Sequence, residues 1–214
     1  MRLQVKICGI NSADALEAAA RGGARHIGLN FYPPSPRSVS PELAKELARA
    51  VPTGVRAVGL FVEPSDAELE DIISQVPLDT IQLHGDETPG RVAEIRVQTG
   101  IPVMKAIRVG QAADLDGVSD YEAVVDSILF DARLPKSVSS LPGGNGVPFD
   151  WSLLAGLTLS KPWMLSGGLT SANLAEAVEQ TGADRVDTAS GVEDRPGHKT
   201  PALIGEFLAV AANL

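Results

Sequence analysis

A lone thiol, a strand-end carboxylate and two glycine-bearing turns are the parts of this chain best suited to chemistry. Cys8 ends the apolar run Val5-Lys6-Ile7-Cys8 and is followed at once by Gly9. In an extended chain, residues i and i+2 share a face, so Lys6 and Cys8 lie together, roughly 6.5 to 7 Å apart along the strand. A positive neighbour favours the thiolate, the form that acts as base or nucleophile. The competing reading is a buried structural cysteine that behaves as a small hydrophobe. Asp131 ends another β-rich run, Ser127-Ile-Leu-Phe-Asp131. A carboxyl group held protonated by burial can donate a proton, and a thiolate can remove one from carbon. Alternatively, Asp131 anchors a loop by accepting backbone N–H groups.

Gly167-Gly168 and Ser190-Gly191 could form an anion site, because glycine lets backbone N–H groups approach a phosphate with no Cβ in the way, and a helix start adds a positive dipole. A plain tight turn before a helix capped by Thr170 or Ser171 would explain the first pair alone. Arg37 lies in the proline-rich stretch Tyr32-Pro-Pro-Ser-Pro-Arg37, and a guanidinium can clamp a carboxylate through two parallel hydrogen bonds. A solvated arginine is the alternative. His84 ends the run Thr80-Ile-Gln-Leu-His84 and is either a pocket donor or a structural histidine. Three histidines, one cysteine and no H-E-x-x-H or C-x-x-C spacing leave little to bind zinc, and neither G-x-G-x-x-G after a strand nor a P-loop is found.

These residues need strands to deliver them to one place. Short β-rich runs at 3–8, 25–30, 55–62, 80–83, 102–107, 127–131, 163–166 and 184–187 alternate with helical patterns. The helices are expected over 13–21, capped by Asn11 or Ser12 and closed by Gly22-Gly23; over 41–50, with Ser40 as cap and Pro41 first; and over 65–75 and 87–98. A weaker one covers 112–121, another begins near Phe149 or Asp150, and the last two cover 171–180 and 201–212. Eight strand-then-helix units with short connections predict a parallel sheet buried on both faces. The α/β class follows, with one (β/α)₈ TIM barrel domain over residues 1–214; a doubly wound open sheet is the alternative and does not need eight equivalent units. In a barrel, Cys8, Arg37, His84, Asp131, Gly167, Gly168, Ser190 and Gly191 all fall at the carboxyl ends of strands, on one rim.

Composition narrows the function classes. The 214 residues, 44% hydrophobic and 21% charged, suit an ordinary soluble globular protein with one large core. A net charge of −9 disfavours sequence-independent nucleic-acid binding but still allows a locally positive pocket for a small anion. No apolar run approaches a membrane span, no leader precedes the first strand, and one cysteine forms no internal disulfide, so a cytoplasmic protein is expected. With no interface stripe in the acidic surface, a monomer is expected.

In these motifs the chain resembles the phosphoribosylanthranilate isomerase family, a barrel enzyme of tryptophan biosynthesis. The resemblance is carried by Lys6-Ile-Cys8-Gly-Ile10, Phe31-Tyr32-Pro33 through Arg37, Gly59-Leu-Phe-Val62, Gln82-Leu-His84-Gly85 and Leu129-Phe-Asp131. It continues through Gly143-Gly-Asn-Gly146, Phe149-Asp-Trp151, Leu165-Ser-Gly-Gly-Leu169, and Asp187 through Glu193 with Pro196-Gly197. One departure is that the common Asp-Val-Ser-Ser-Gly-Val-Glu reads Asp187-Thr-Ala-Ser-Gly-Val-Glu193 here. The resemblance implies an Amadori rearrangement of a phosphorylated aminosugar, N-(5-phosphoribosyl)anthranilate, without a cofactor. It implies Asp131 as general acid, Cys8 as general base, Arg37 as the cation for the anthranilate carboxylate, His84 as a weaker contact and the glycine turns as phosphate cradle. Residues 132–148 would form a lid. A sister barrel such as indoleglycerol-phosphate synthase would instead carry a catalytic Lys and Glu pair at strand ends, and a related histidine-pathway isomerase would place Asp at the position of Cys8. A catalytically silent phosphate-binding barrel is the non-enzymatic alternative.

Overall fold

The computed structural model describes residues 3–133 and 149–214. Eight strands, β1 (Gln4–Cys8), β2 (His26–Asn30), β3 (Arg56–Phe61), β4 (Thr80–Leu83), β5 (Val103–Val109), β6 (Ser127–Ala132), β7 (Trp163–Leu165) and β8 (Arg185–Thr188), form a closed barrel in sequence order. Every neighbouring pair is parallel, and β1 closes the ring by pairing with both β2 and β8. The expected (β/α)₈ barrel is therefore the observed fold.

Seven α-helices are described: α1 (Ala13–Gly22), α2 (Pro41–Ala50), α3 (Asp66–Ile73), α4 (Pro89–Thr99), α5 (Val118–Glu122), α6 (Leu174–Thr181) and α7 (Pro201–Ala211). Their starts follow from local chemistry. Ser12 accepts from the Ala15 N–H and Ser40 from the Leu43 N–H, while Ser65 and Glu68 make a reciprocal capping box.

Where helices fall short of expectation, a residue explains it. Gly117 splits the 112–121 pattern into a 3₁₀ turn, Ala112–Leu115, and the short α5. Asp150 caps only the 3₁₀ turn Trp151–Leu154, which stops before Gly156 at φ +74°. Asn173 accepts from the Thr170 N–H and donates to the Gly168 carbonyl, so α6 starts after it rather than at 171. A hairpin of β9 (Glu193–Arg195) and β10 (His198–Lys199) follows β8 and was not expected. Its strands, Glu-Asp-Arg and His-Lys, are too polar and short to show a strand pattern.

Alternation along the strands divides the core into two. Outward residues such as Val5, Ile7, Ile27, Leu29, Ile81 and Leu83 join the helices in a large apolar layer. Met104, Ala106, Leu129 and Met164 form a separate small cluster, with Lys6 and Gln82 also fully buried. No helix among the described residues is long and apolar enough to cross a membrane.

Candidate active site

The alternation that buries Ile7 outward turns Lys6 and Cys8 inward. Because Lys6 stands opposite Asp187 in the β1–β8 register, its ammonium donates to Asp187 Oδ1 at 2.9 Å. Ser166, at the end of β7, donates its hydroxyl to Asp187 Oδ2 at 3.0 Å. Burial works against the Lys6 ammonium, but Asp187 and Cys8 outweigh it and hold its pKa above the usual lysine range. A Cβ built on Gly28 would meet Cys8 Sγ at 2.9 Å and Lys6 Nζ at 3.3 Å, so both groups reach over this bare stretch of β2.

The expected activation of the thiol needs correction. Burial pushes the Cys8 thiol up, Lys6 and Lys199 pull it down, and Asp187 pushes it up again; the balance lies above the ordinary value. Lys6 does act on the thiol, but it is shared with a carboxylate and the thiol is buried. Cys8 therefore rests as a thiol.

Asp131 is the last but one residue of β6 and is 4% exposed. Its Oδ1 accepts from the Ala132 N–H at 2.9 Å, and its Oδ2 lies 3.1 Å from His84 Nε2. Behind the imidazole, Gln82 Nε2 lies 3.0 Å from His84 Nδ1. Gln82 and His84 are two residues apart on β4 and its end, hence on one face.

Arg37 is also buried, held by two parallel hydrogen bonds to Glu193, Nε to Oε1 and Nη2 to Oε2, each 2.8 Å. The β9–β10 hairpin brings Lys199 onto the same Glu193, and Lys199 also donates to the Ala189 carbonyl. Burial opposes the charge of Glu193, but Arg37 and Lys199 prevail and lower its pKa. Neither Glu193 nor Lys199 could be given a role before the hairpin was seen.

The loops after β7 and β8 are stitched together. Thr188 Oγ1 donates to the Leu169 carbonyl at 2.8 Å, and a Cβ on Gly191 would fall 1.9 Å from that oxygen. Only glycine permits this approach. Gly167 adopts φ +89°, and a Cβ there would meet the Ala132 nitrogen at 2.8 Å. Ser190 and Gly191 open the 3₁₀ turn Ser190–Val192, as the sequence suggested.

One pocket is lined by Cys8, Arg37, His84, Asp131, Gly167, Gly168 and Ser190, so seven of the eight expected site residues converge. Gly191 stands beside it, packed on Leu169. Ser166, Asp187, Thr188 and Ala189 also line this pocket. At the departure from the common motif, the Thr188 hydroxyl joins the two loops and Ala189 presents only a methyl group.

A buried Lys and Glu pair does exist, but within β5 and the loop after β4 and not at two strand ends: Lys105 Nζ donates to Glu87 Oε2 at 2.8 Å. However, it lies outside this pocket, with the ammonium over the Tyr121 ring of α5. Among the described residues no group of three His, Cys, Asp or Glu is placed to hold a metal ion. The lid expected over 132–148, and the motif Gly143-Gly-Asn-Gly146 within it, lie outside the described residues from 134 onward.

A thiol, a carboxyl group and glycine turns at the carboxyl ends of parallel strands define a (β/α)₈-barrel enzyme for a small anionic substrate. More particularly, the chain belongs to the N-(5'-phosphoribosyl)anthranilate isomerase family, whose model matches residues 5–210. It is 64% identical to the enzyme of that name from Rhodospirillum centenum over 214 residues, the whole of both chains. It is 54% identical to the Paracoccus denitrificans enzyme over 211 residues, 99% of this chain and 98% of that one. Among solved structures it is similar to phosphoribosyl anthranilate isomerase from Thermotoga maritima, with TM-score 0.86, 33% identity and coverage of 99% and 100% of the two chains. A structure of the isomerase in complex with reduced 1-(o-carboxyphenylamino)-1-deoxyribulose 5-phosphate has TM-score 0.82 and 31% identity, with coverage of 99% and 100%.

Proposed function

We propose that this chain catalyses the Amadori rearrangement of N-(5-phosphoribosyl)anthranilate in tryptophan biosynthesis with Asp131 as general acid and Cys8 as general base. The observation that carries this reading is the convergence of the two groups, from the non-neighbouring strands β6 and β1, on one pocket with the glycine turns. Asp131 gives its proton to the furanose ring oxygen as the C1–O bond breaks and the anilino nitrogen lone pair forms the Schiff base. Cys8 then takes the C2 proton as thiolate, and those electrons move to the nitrogen to give the enolamine. Tautomerisation yields 1-(2-carboxyphenylamino)-1-deoxyribulose 5-phosphate. The step needs one acid, one base and no redox partner.

The backbone of Gly167, Gly168, Ser190 and Gly191 holds the phosphate, and Arg37, oriented by Glu193, faces the anthranilate carboxylate. His84 acts on Asp131 rather than as a separate substrate contact. The placement of Lys105 and Glu87 outside the pocket favours the isomerase over the sister synthase. We further propose a cytoplasmic monomer: the sole cysteine is a free thiol, and among the described residues the large exposed hydrophobics are Val97 and Leu214. The Thermotoga maritima relative is described as dimeric, so light scattering on the purified protein tests this point directly.

The activity test is loss of anthranilate-type fluorescence when the protein meets phosphoribosylanthranilate generated in situ. Conversion by the wild type is expected, with Cys8→Ala and Asp131→Asn each folded but slower by about 10²-fold or more. A folded wild type that leaves the substrate unchanged, beside a working control isomerase, would refute the reading; unchanged turnover in either variant would remove that residue from the mechanism.

A further inference from the structure

Gln82 is fully buried on β4, two residues before His84; its side chain meets His84 and does not line the pocket. Its Nε2 lies 3.0 Å from His84 Nδ1, while its Oε1 is buried with no hydrogen-bond partner among the described residues. A buried amide that leaves its oxygen unsatisfied needs a reason, since such groups are rare in folded proteins. Here the amide nitrogen is directed at a ring nitrogen whose partner on the other side is Asp131.

An amide N–H can only donate, so the Nδ1 it meets must be an acceptor. The ring proton then sits on Nε2, and the imidazole is neutral. At 3.1 Å from Asp131 Oδ2, that Nε2–H donates to the carboxyl group. The contact is thus a hydrogen bond donated by the His84 ring to the carboxyl group.

We infer that Gln82 is a positioning residue for the acid step, fixing His84 as the Nε2–H tautomer so that Asp131 always faces a donor. This inference rests on Asp131 being the general acid. Two consequences follow for proton transfer. As Asp131 gives up its proton, the charge left on Oδ2 meets a donor already aligned, and Oδ1 meets the Ala132 N–H. His84 also offers no lone pair at Nε2, so it cannot draw the proton away from the substrate. A histidine in the other tautomer would compete for it.

The test is ¹⁵N NMR of histidine-labelled wild type, with His84→Asn used to assign the signal, and steady-state kinetics of Gln82→Met and Gln82→Glu. The wild-type ring is expected to show a protonated Nε2 and an unprotonated Nδ1, a result read without turnover and hence independent of whether Asp131 is the acid. Gln82→Met removes the donor at similar size; the fixed tautomer is lost and kcat falls tenfold or more with KM within twofold. Gln82→Glu offers Nδ1 an acceptor, selects the opposite tautomer and lowers kcat further. An Nδ1–H tautomer or a doubly protonated ring in the wild type would overturn the inference. So would a Gln82→Met enzyme in which the tautomer changes at unaltered kcat, or kcat falls with the tautomer unchanged.

Discussion

Replacing Lys105 by Met separates the role of the buried Lys and Glu pair from that of the pocket. Lys105 Nζ donates to Glu87 Oε2 at 2.8 Å and to the Gly85 carbonyl at 2.7 Å, with the Leu83 carbonyl at 3.4 Å. Glu87 in turn accepts from the Glu63 N–H at 2.7 Å and the Gly85 N–H at 3.0 Å, tying the ends of β3 and β4 together. Both side chains are at most 3% exposed. Methionine fills most of the volume but leaves Glu87 buried without its cation, a change that costs about 3–5 kcal/mol in comparable pairs. The two backbone donors still hold one carboxylate oxygen, which places the expected loss near the lower end, about 3 kcal/mol. Against a total stability on the order of 5–15 kcal/mol this is a large fraction. Urea unfolding at pH 7, at unchanged m-value, measures it. Lys105→Met with Glu87→Gln removes the stranded charge and is expected to recover about 1 kcal/mol or more. Turnover of the single variant should remain within about threefold of wild type, since neither residue lines the pocket. A loss below about 1 kcal/mol would refute the energetic reasoning, and a kcat reduced by about 10²-fold or more, the scale of an acid–base group, would make the pair catalytic and favour the sister synthase.

Three further outcomes are expected. Because burial, and then Lys6, Arg56 and Arg185, hold the His26 imidazole down to about 4 from 6.5, the unfolded chain takes up that proton first as pH falls. The stability is present above pH 6.5 and lost between 6.5 and 4; at about 1.4 kcal/mol per pH unit, and allowing for partial exposure, about 2 kcal/mol goes. Urea unfolding at both ends of that window should show this loss, and His26→Gln should abolish it. Since Cys8 rests as a thiol, its alkylation by iodoacetamide should speed up about tenfold per pH unit from pH 7 towards 9, and a rate flat over that range would show a thiolate already formed at pH 7. Gly191→Ala must push the β8 loop off Leu169 and should raise KM about tenfold or more, whereas Gly205→Ala, which meets open space in α7, should leave KM unchanged.

The sequence by itself determined the barrel and the rim on which its chemistry sits. Strand and helix periods, caps such as Ser40 before Pro41, and the positions of Cys8, Asp131 and the glycine turns are local properties, written within a few residues of where they act. Their order along the chain placed them at strand ends, and the motifs around them carried the family resemblance. What only the tertiary structure decided is who faces whom. Lys6 meets Asp187 across 181 residues of sequence and Arg37 meets Glu193 across 156, through barrel closure and a hairpin too polar to read as strands. The same closure buried Cys8, so loss of solvent outweighed the cation that its sequence neighbour offers. It also set Gln82, His84 and Asp131 in line, giving a glutamine that entered only as one letter of a motif a place behind the acid. Charge and hydrogen-bond partners depend on distances across the fold, and a linear pattern contains none of them.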